Sequence, residues 1–434
     1  MTQSNDNPDL QLDRALGVRQ LSASIFNYTV GSGIFALPAV AVAMLGGAAP
    51  LAYLVCMVLM ALVLLCFAEA GSRVSLTGGP YAYVEVALGP FIGFIAGVML
   101  LITGTTAGAA VTVLFAKSVT ALIPGAPAWL PTVIVITVIA LLVAANIRGV
   151  RQSARLIEGI TIAKLLPLIA FVVIGAAFIR PANFAWHETP SVVQVLSTAG
   201  IVIFAFSGIE SALAPNGEVK NPSRTVPLAS FIALGAATLL YLLVQAVALG
   251  IEGLALANEK VTPLAHAAQS FVGPVGSTIM IAGASISMLG YLGSNILSVP
   301  RLWFALGRDR FLPARLSTVH PRFQSPHIAI VVHGIVIAAL ALSGTFEQLA
   351  VFANLTSFAL YFLCAIAVWA LRKRDIRGEG EPFIIPGGPL IPVAACAANV
   401  LLLYVTGTRA DLIGLAAAVG ISAVLYLLRA VRSK

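Results

Sequence analysis

Five residues interrupt apolar segments at points where the polypeptide backbone becomes available for binding. Gly31, Ser32 and Gly33 lie in the middle of one apolar segment, and Gly208, followed by Glu210, interrupts another. Glycine inside a helix costs about 1 kcal/mol relative to alanine, so each position predicts a break in a helix. A break leaves N–H groups at the start of one helical segment and C=O groups at the end of the other without partners. Such groups can hold a small polar ligand.

The chain that carries these breaks has the composition of a membrane protein. Of its 434 residues, 59% are hydrophobic and only 10% are charged, whereas soluble domains are about one-quarter charged. Its apolar runs of roughly 20 residues are long enough to cross a bilayer. Inside a bilayer, a broken helix survives only where it faces protein, water or a ligand. The sequence therefore predicts an all-α membrane protein whose breaks form a solute site.

Twelve apolar spans are predicted within a single domain at residues 21–429, between polar tails at residues 1–20 and 430–434. Most of the 25 lysine and arginine residues fall in loops on the side of the N-terminus, so both termini are expected in the cytoplasm. The net charge of +8 follows from this asymmetry and does not indicate nucleic-acid binding. The four cysteines lie in apolar spans without metal-ligand spacing, and no metal site is predicted.

Lys164 is a basic residue within a predicted span. It lies nine residues beyond Arg155, and the apolar run continues to Ile179. A charge at mid-membrane costs about 2.5–3.5 kcal/mol on insertion scales. The side chain could reach the interface by snorkelling, but its depth in the span favours a functional role.

The two breaks occupy corresponding places in two halves of the chain. The tripeptide Ser-Gly-Ile occurs at Ser32–Ile34 and again at Ser207–Ile209. If the first five spans form one repeat, the repeats cover about residues 21–180 and 190–371, and two further helices follow at about 390–429. Paired broken helices at matching places in two halves indicate the binding site of a secondary transporter.

Five motifs, in order along the chain, resemble those of the amino acid–polyamine–organocation (APC) superfamily. They are Gly31–Phe35, Ala68–Glu69 with Thr77–Tyr83 and Leu88–Pro90, Glu218–Pro227, Arg301–Pro313 and Pro382–Gly387. The resemblance covers nearly the whole chain. It implies twelve transmembrane helices, arranged as two inverted five-helix repeats with broken helices 1 and 6 plus two C-terminal helices. It also implies alternating access for an amino acid or an amine.

The two breaks together suit the two charges of an amino acid. The N–H groups at Gly31 to Ile34 lie at the positive end of a helical segment and suit an α-carboxylate. The carbonyl groups near Phe206 and Ser207 suit an α-ammonium group. The predicted substrate-binding residues are Thr29, Gly31, Ser32, Gly33, Ile34, Phe204, Phe206, Ser207, Gly208, Glu210 and Asn295.

Five of these residues also have a structural alternative. Glu210 resembles a glutamate of the arginine/agmatine antiporter and could face the substrate, cap the second half of its helix, or do both. Phe204 aligns with an aromatic that gates the substrate in that antiporter, or it could simply pack. The hydroxyls of Thr29 and Ser32 could bond back to the helix. Asn295 could form an interhelical hydrogen bond instead of a ligand contact.

Lys164 is the predicted coupling residue. It resembles the lysine that, in some members of the superfamily, takes the place of a sodium ion beside the first break. Its ammonium group would there hydrogen-bond carbonyls near Val30 and Gly31. This resemblance implies proton symport or substrate exchange rather than sodium coupling.

The sequence thus predicts a multi-pass amino-acid transporter of the cytoplasmic (inner) membrane, acting as a monomer or homodimer. A polyamine or other organic-amine carrier is the alternative within transport, and a non-transporting nutrient sensor is the alternative outside it. Expected partners are the amino-acid or organic-amine substrate, a proton or counter-substrate, and membrane lipid, but no nucleic acid. The sequence contains no catalytic triad and no phosphate-binding loop, so neither an enzyme nor an ATP-driven pump is predicted, and no cofactor is expected.

Overall fold

The computed structural model describes residues 16–432 except 75, 77, 149–152, 187, 214–218, 260, 309, 324, 379 and 380, and it describes only the backbone of residues 153–162 and 429–432. Within these residues the regular structure is helical, and the only β contact is an isolated bridge between Leu16 and Val219. The predicted all-α class is confirmed. The parts of the predicted tails at residues 1–15, 433 and 434 lie outside the described residues.

The described residues up to 184 form seven α-helices. These are α1 (Val18–Thr29), α2 (Gly33–Leu45), α3 (Pro50–Arg73), α4 (Pro80–Leu88), α5 (Pro90–Ala121), α6 (Leu130–Ile147) and α7 (Ser153–Gly175). Short 3-10 helices lie at Gly46–Ala48, Ala176–Phe178 and Pro181–Phe184. Proline stands in the first turn of α3, α4, α5 and α6, where its missing N–H breaks no intrahelical bond.

The described residues beyond 184 form ten α-helices. These are α8 (Val192–Val202), α9 (Ile209–Ala212), α10 (Pro222–Glu252), α11 (Pro263–Val272), α12 (Pro274–Ser298), α13 (Pro300–Arg308), α14 (His327–Ser343), α15 (Phe346–Lys373), α16 (Leu390–Thr406) and α17 (Arg409–Arg432). Further 3-10 helices lie at Ile203–Phe206, Gly253–Asn258 and Ala314–Ser317. Capping boxes begin α8 at Ser191 and α15 at Thr345, and they satisfy the first N–H groups of both helices.

Eight helical segments of the described chain are long and apolar enough to cross a membrane. A ninth span forms if α1 and the segment Gly33–Ala48 are taken together, since they meet at a bend of 52°. Three shorter apolar helices lie at Ala163–Phe178, His327–Ser343 and Leu390–Thr406. The first span begins at Val18, before the start at residue 21 that the sequence predicts.

Helix α5 lies at the centre of the bundle and contacts α4, α6, α12, α14, α15 and α17. Two glycines on α5 allow this close approach. A Cβ atom at Gly104 would lie 2.7 Å from Val299, and one at Gly108 would lie 2.8 Å from Asn295 Oδ1. Small residues of this kind let transmembrane helices pack backbone to backbone. The packing places α12, with its polar residue Asn295, directly against α5.

A buried carboxylate joins α3 to α15 and to the connection before α16. Glu69 Oε1 accepts hydrogen bonds from Arg73 Nε at 3.1 Å and from Arg372 Nε at 2.7 Å. Its Oε2 accepts from Arg372 Nη2 at 2.6 Å and from the Ile385 N–H at 3.0 Å. Because Glu69 is fully buried, these four donors replace the water that a carboxylate needs.

Candidate substrate site at the two helix breaks

The first break separates α1 from α2 in the middle of the first span. Helix α1 ends at Thr29 and α2 begins at Gly33. Between them, the Gly31 N–H donates to the Thr29 carbonyl oxygen over 2.8 Å. Ser32 stands at the N-cap of α2, but its hydroxyl makes no capping hydrogen bond. The first N–H groups of α2, at the positive end of its dipole, therefore face the interior with no intrahelical partner.

The second break separates α8 from α9 through a 3-10 turn, Ile203–Phe206. Ser207 is extended, and Gly208 has a φ of 105°, in the left-handed region that favours glycine. A side chain at Gly208 would also place its Cβ 3.0 Å from the Tyr28 carbonyl oxygen of α1. Glycine is thus required here both by the backbone angle and by the neighbouring helix.

The two breaks contact each other directly. A Cβ atom at Gly33 would lie 2.7 Å from the Ala205 Cα, so the second break approaches the first too closely for a side chain at Gly33. The Tyr241 hydroxyl, from α10, lies 2.7 Å from the Thr29 carbonyl oxygen and 2.8 Å from the Ala205 carbonyl oxygen. This one donor bridges carbonyl groups of both breaks and fixes their separation.

Lys164 extends from α7 to the end of α1. Its Nζ donates to the carbonyl oxygens of Asn27 and Val30, each at 2.7 Å. The side chain is buried, so the ammonium group has these carbonyls in place of water. The Gly31 carbonyl instead accepts a weaker bond from the Ser287 hydroxyl of α12 at 3.4 Å. Lys164 thus lies behind the break and neutralises the negative end of the α1 dipole.

Glu210 lies in the first turn of α9 and is buried. Its carboxylate accepts the Gly208 N–H at 3.1 Å and 3.2 Å, and it accepts the Tyr361 hydroxyl at 3.0 Å. The bond to Gly208 satisfies an N–H group at the start of the helix, as a capping carboxylate does. Glu210 also lines a cavity, so the capping contact does not remove it from the candidate site.

Two small cavities lie between the breaks and helices α5 and α12. Their volumes are about 20 Å³ and about 30 Å³, and Tyr28, Ala107, Ser207 and Tyr291 line both. A cavity of about 10–15 Å³ holds one water molecule. Neither cavity has room for an amino acid, so this conformation is closed around the site.

Most of the predicted site residues line these cavities. Those at the first cavity are Thr29, Gly31, Ser32, Gly33, Phe204 and Ser207, and those at the second are Ser207, Gly208, Glu210 and Asn295. Ile34 and Phe206 are buried elsewhere, and Phe206 packs edge-on against Tyr241 with a ring-centroid distance of 5.0 Å. The structure therefore brings residues of both breaks to the same two cavities, and Ile34 and Phe206 are not among the residues that line them.

Three predicted residues have partners within the protein. Phe204 packs edge-on against Phe346 at a centroid distance of 5.6 Å. The Thr29 hydroxyl donates back to the Ile25 carbonyl at 2.8 Å. Asn295 Nδ2 donates to the Gly104 carbonyl on α5 at 2.8 Å. Each of these contacts stabilises the wall of a cavity that the same residue lines.

Asn295 and His333 form a polar chain across three helices. Asn295 Oδ1 lies 3.0 Å from His333 Nε2, and His333 Nδ1 accepts a hydrogen bond from Trp303 Nε1 at 3.3 Å. With Nδ1 as acceptor, the ring is neutral and Nε2 donates to Asn295. The chain links α13, α14 and α12, and Asn295 extends it to α5.

Besides Tyr28, which lines both cavities, three tyrosines near the breaks were missed by the sequence-based prediction. Tyr241 bridges the breaks, Tyr361 donates to Glu210, and Tyr291 lines both cavities. Each lies in an apolar helix, where a buried phenol needs a hydrogen-bond partner. That need is the signal that could have identified Tyr241 and Tyr361, but the hydrogen-bond partners of both lie in other segments of the chain.

The chain matches the family described as amino acid permease over residues 16–426. It is 30% identical over 405 residues to a serine/threonine exchanger of Bacillus subtilis, with 91% of each chain covered. It is 28% identical to a methylthioribose transporter of the same organism, in an alignment that covers 93% of this chain and 90% of the relative. It is 26% identical to a branched-chain amino acid permease of that organism, with 88% of this chain and 85% of the relative covered. The chain therefore belongs to the amino acid permease family of the APC superfamily, as its five motifs predict, and it is a multi-pass membrane protein.

Proposed function

We propose that this protein is a secondary transporter that carries amino acids across the cytoplasmic membrane by alternating access. The observation that carries the proposal is the direct contact between two broken helices, with the Gly33 backbone against Ala205 and the Gly208 backbone against Tyr28. Broken helices that meet at depth in the membrane supply both N–H and C=O groups to one ligand. A soluble receptor or an enzyme has no need of this arrangement.

The substrate's α-carboxylate binds the N-terminus of α2 at Gly31, Ser32, Gly33 and Ile34. The dipole of α2 favours an anion at its first N–H groups, and glycine at positions 31 and 33 allows the anion to approach the backbone. The α-ammonium group binds the carbonyl groups at the end of the 3-10 turn, near Phe206 and Ser207. The small size of the cavities supports a cycle in which this closed conformation alternates with opened ones.

A proton or a counter-substrate, and not sodium, drives the proposed transport. The carbonyl groups of Asn27 and Val30, which could coordinate a cation beside the break, are occupied by the ammonium group of Lys164 at 2.7 Å. The fixed ammonium group repels a second cation at this point. Because it already binds the carbonyl groups at the end of α1, no sodium ion is needed to hold them. We assign Lys164 the coupling role.

The proposed topology has twelve spans with both termini in the cytoplasm. It combines the eight long apolar segments, the bent first span and the three shorter apolar helices of the described chain. Spans one to five and six to ten then form inverted repeats, and each begins with a broken helix. The excess of lysine and arginine in loops on the N-terminal side supports this orientation.

An organic-amine carrier is the second candidate, because a buried carboxylate lines one of the two cavities. Glu210 could bind a second positive charge on the substrate. The hydrogen bonds that its carboxylate accepts from Gly208 and Tyr361 use part of its hydrogen-bonding capacity and favour the capping role. The relatives of this chain include a methylthioribose transporter beside the amino-acid carriers, so family membership leaves the substrate to be decided by the site.

The decisive test is uptake into proteoliposomes of purified full-length protein, using a panel of labelled amino acids and diamines. Each compound is tested with a pH gradient, with a sodium gradient, and with unlabelled substrate inside. We expect saturable uptake of amino acids that depends on the pH gradient or on internal substrate. Accumulation driven by sodium alone would overturn the coupling assignment, and no uptake of any compound would overturn the proposed function.

A further inference from the structure

A groove far from the helix breaks lies where α15 ends and α16 begins. It has a volume of about 460 Å³ and is lined by Trp369, Arg372, Lys373, Pro389 and Pro392. These residues stand at the ends of two apolar helices, Phe346–Lys373 and Leu390–Thr406. The groove therefore lies at the boundary between the hydrocarbon core and the aqueous phase, and it shares no residue with the cavities at the breaks.

One side of the groove is basic. Arg372 uses Nε and Nη2 to bind Glu69 and uses Nη1 to bind the Gly388 carbonyl at 2.7 Å. A guanidinium group has five N–H donors, so two remain for a further acceptor. Lys373, the next residue, ends α15 and is exposed. The groove thus offers an ammonium group and a partly free guanidinium group side by side.

The charges around the groove leave an excess of positive charge. The buried Glu69 carboxylate is shared by two guanidinium groups, those of Arg73 and Arg372. In the following loop, Asp375 and Glu381 both contact Arg377, at 2.9 Å and 3.8 Å. The charge of Lys373 is therefore not compensated by either acidic group, and an anion in the groove would be favoured.

The other side of the groove is apolar and faces outward. Trp369 lies one helical turn before Lys373 and is 62% exposed, and Pro389 and Pro392, at the start of α16, complete the apolar lining. Tryptophan is enriched at the level of lipid headgroups, where its ring is apolar and its N–H is polar. A soluble anion would interact only with the basic side of this groove. An amphiphile with an anionic head would contact both sides.

We propose that this groove binds an anionic phospholipid. Its phosphate lies between Lys373 and the two remaining N–H donors of Arg372, and its glycerol backbone and first acyl carbons lie against Trp369 and Pro392. Basic pockets between transmembrane helices are suited to anionic headgroups. Because Arg372 also holds Glu69 of α3, the bound lipid reinforces the connection between α3 and α15. The inference depends on membrane insertion and not on the identity of the transported substrate.

The test is native mass spectrometry of the detergent-purified full-length protein with phosphatidylglycerol or phosphatidylcholine at equal concentration. We expect the wild-type protein to retain phosphatidylglycerol preferentially. Lys373→Gln should lower the fraction bound to phosphatidylglycerol about fivefold, which corresponds to about 1 kcal/mol for one basic residue near the membrane surface. Lys373 is exposed, so this variant is expected to fold.

Arg315→Gln is the matched control. It removes the same charge from an exposed residue in the 3-10 helix Ala314–Ser317, which packs against α13 and α14. This variant should bind phosphatidylglycerol as the wild type does, and Trp369→Ala should bind less with all charges intact. Equal retention of the two lipids, or equal losses in Lys373→Gln and Arg315→Gln, would overturn the proposal. Full competition by glycerol 3-phosphate would also overturn it, since the site would then hold a soluble anion.

Discussion

The ammonium nitrogen of Lys164 lies 2.7 Å from the carbonyl oxygen of Val30, the C-cap residue that directly follows α1. The same nitrogen lies 2.7 Å from the Asn27 carbonyl oxygen, so one side chain of α7 satisfies two acceptors at the first break. A helix that ends inside a membrane must find such donors, because lipid supplies none. The break and the lysine are therefore parts of one structural unit.

Replacement of Lys164 by alanine should abolish accumulation driven by a gradient, while some substrate binding persists. The variant removes the proposed coupling group, but it leaves the N–H groups of α2 in place. Uptake against a concentration gradient and equilibrium binding of a labelled amino acid should be measured on the same preparation. Lys117→Ala, at an exposed position of α5, is the control and should transport normally. Unchanged accumulation in Lys164→Ala would remove this residue from the mechanism.

Tyr241→Phe should lower both stability and transport rate. The substitution deletes the hydroxyl that lies 2.7 Å from the Thr29 carbonyl and 2.8 Å from the Ala205 carbonyl, and it changes little else. Loss of an interhelical hydrogen bond in a membrane protein costs about 1 kcal/mol. Thermal unfolding in detergent would show a lower midpoint than in Tyr404→Phe, whose side chain is 79% exposed. Equal midpoints in the two variants would contradict a bridging role.

Gly33→Ala should reduce transport by at least tenfold. The added Cβ would lie 2.7 Å from the Ala205 Cα, so the two breaks would have to move apart. Overpacking of this kind costs about 1–3 kcal/mol. Gly235→Ala in α10 is the matched control, because its Cβ would meet nothing within 4 Å. The measurement is the initial uptake rate of each variant, normalised to the amount of folded protein. Similar rates in the two variants would contradict the close contact of the breaks.

Glu210→Gln distinguishes the two candidate substrate classes. Glutamine keeps the shape of the side chain but weakens the bond to the Gly208 N–H, which is 3.1 Å from Oε1. Loss of a capping interaction costs about 1 kcal/mol of stability, so the weakened bond should lower the unfolding midpoint slightly while uptake of neutral amino acids persists. Uptake of a labelled diamine should be measured beside uptake of neutral amino acids, in both the wild type and Glu210→Gln. If the wild type transports the diamine and Glu210→Gln does not, the result would favour the organic-amine carrier.

Glu69→Gln should destabilise the protein by about 3 kcal/mol. Breaking a buried ion pair by removing one partner leaves an uncompensated charge, and here two guanidinium groups would lose their common carboxylate. Glu381→Gln is the control, since that side chain is 91% exposed. Chemical or thermal unfolding of both variants in the same detergent measures the difference. A stability equal to that of the control would show that the other contacts between α3 and α15 hold the two helices together without the Glu69 carboxylate.

The positions of the helix breaks, the class of protein and the family follow from the amino-acid sequence by itself. Glycine at 31, 33 and 208 interrupts apolar runs, and this signal is local because the cost of glycine in a helix does not depend on the neighbouring helices. Lys164 stands out for a similar reason, since a charge within an apolar span needs a partner wherever that partner lies. Most of the residues predicted for the site do line its cavities.

Only the tertiary structure decided which groups meet. Helices buried in a bundle or in lipid are apolar on nearly every side, so their sequence does not reveal how each is rotated about its axis. The contacts of Tyr241 with Ala205 and of Arg372 with Glu69 join segments that are far apart in the chain. The groove beside Trp369 likewise forms only when α15 and α16 pack together. The sequence places a lysine within an apolar span, and the tertiary structure brings it to the end of α1 and supplies its two carbonyl partners.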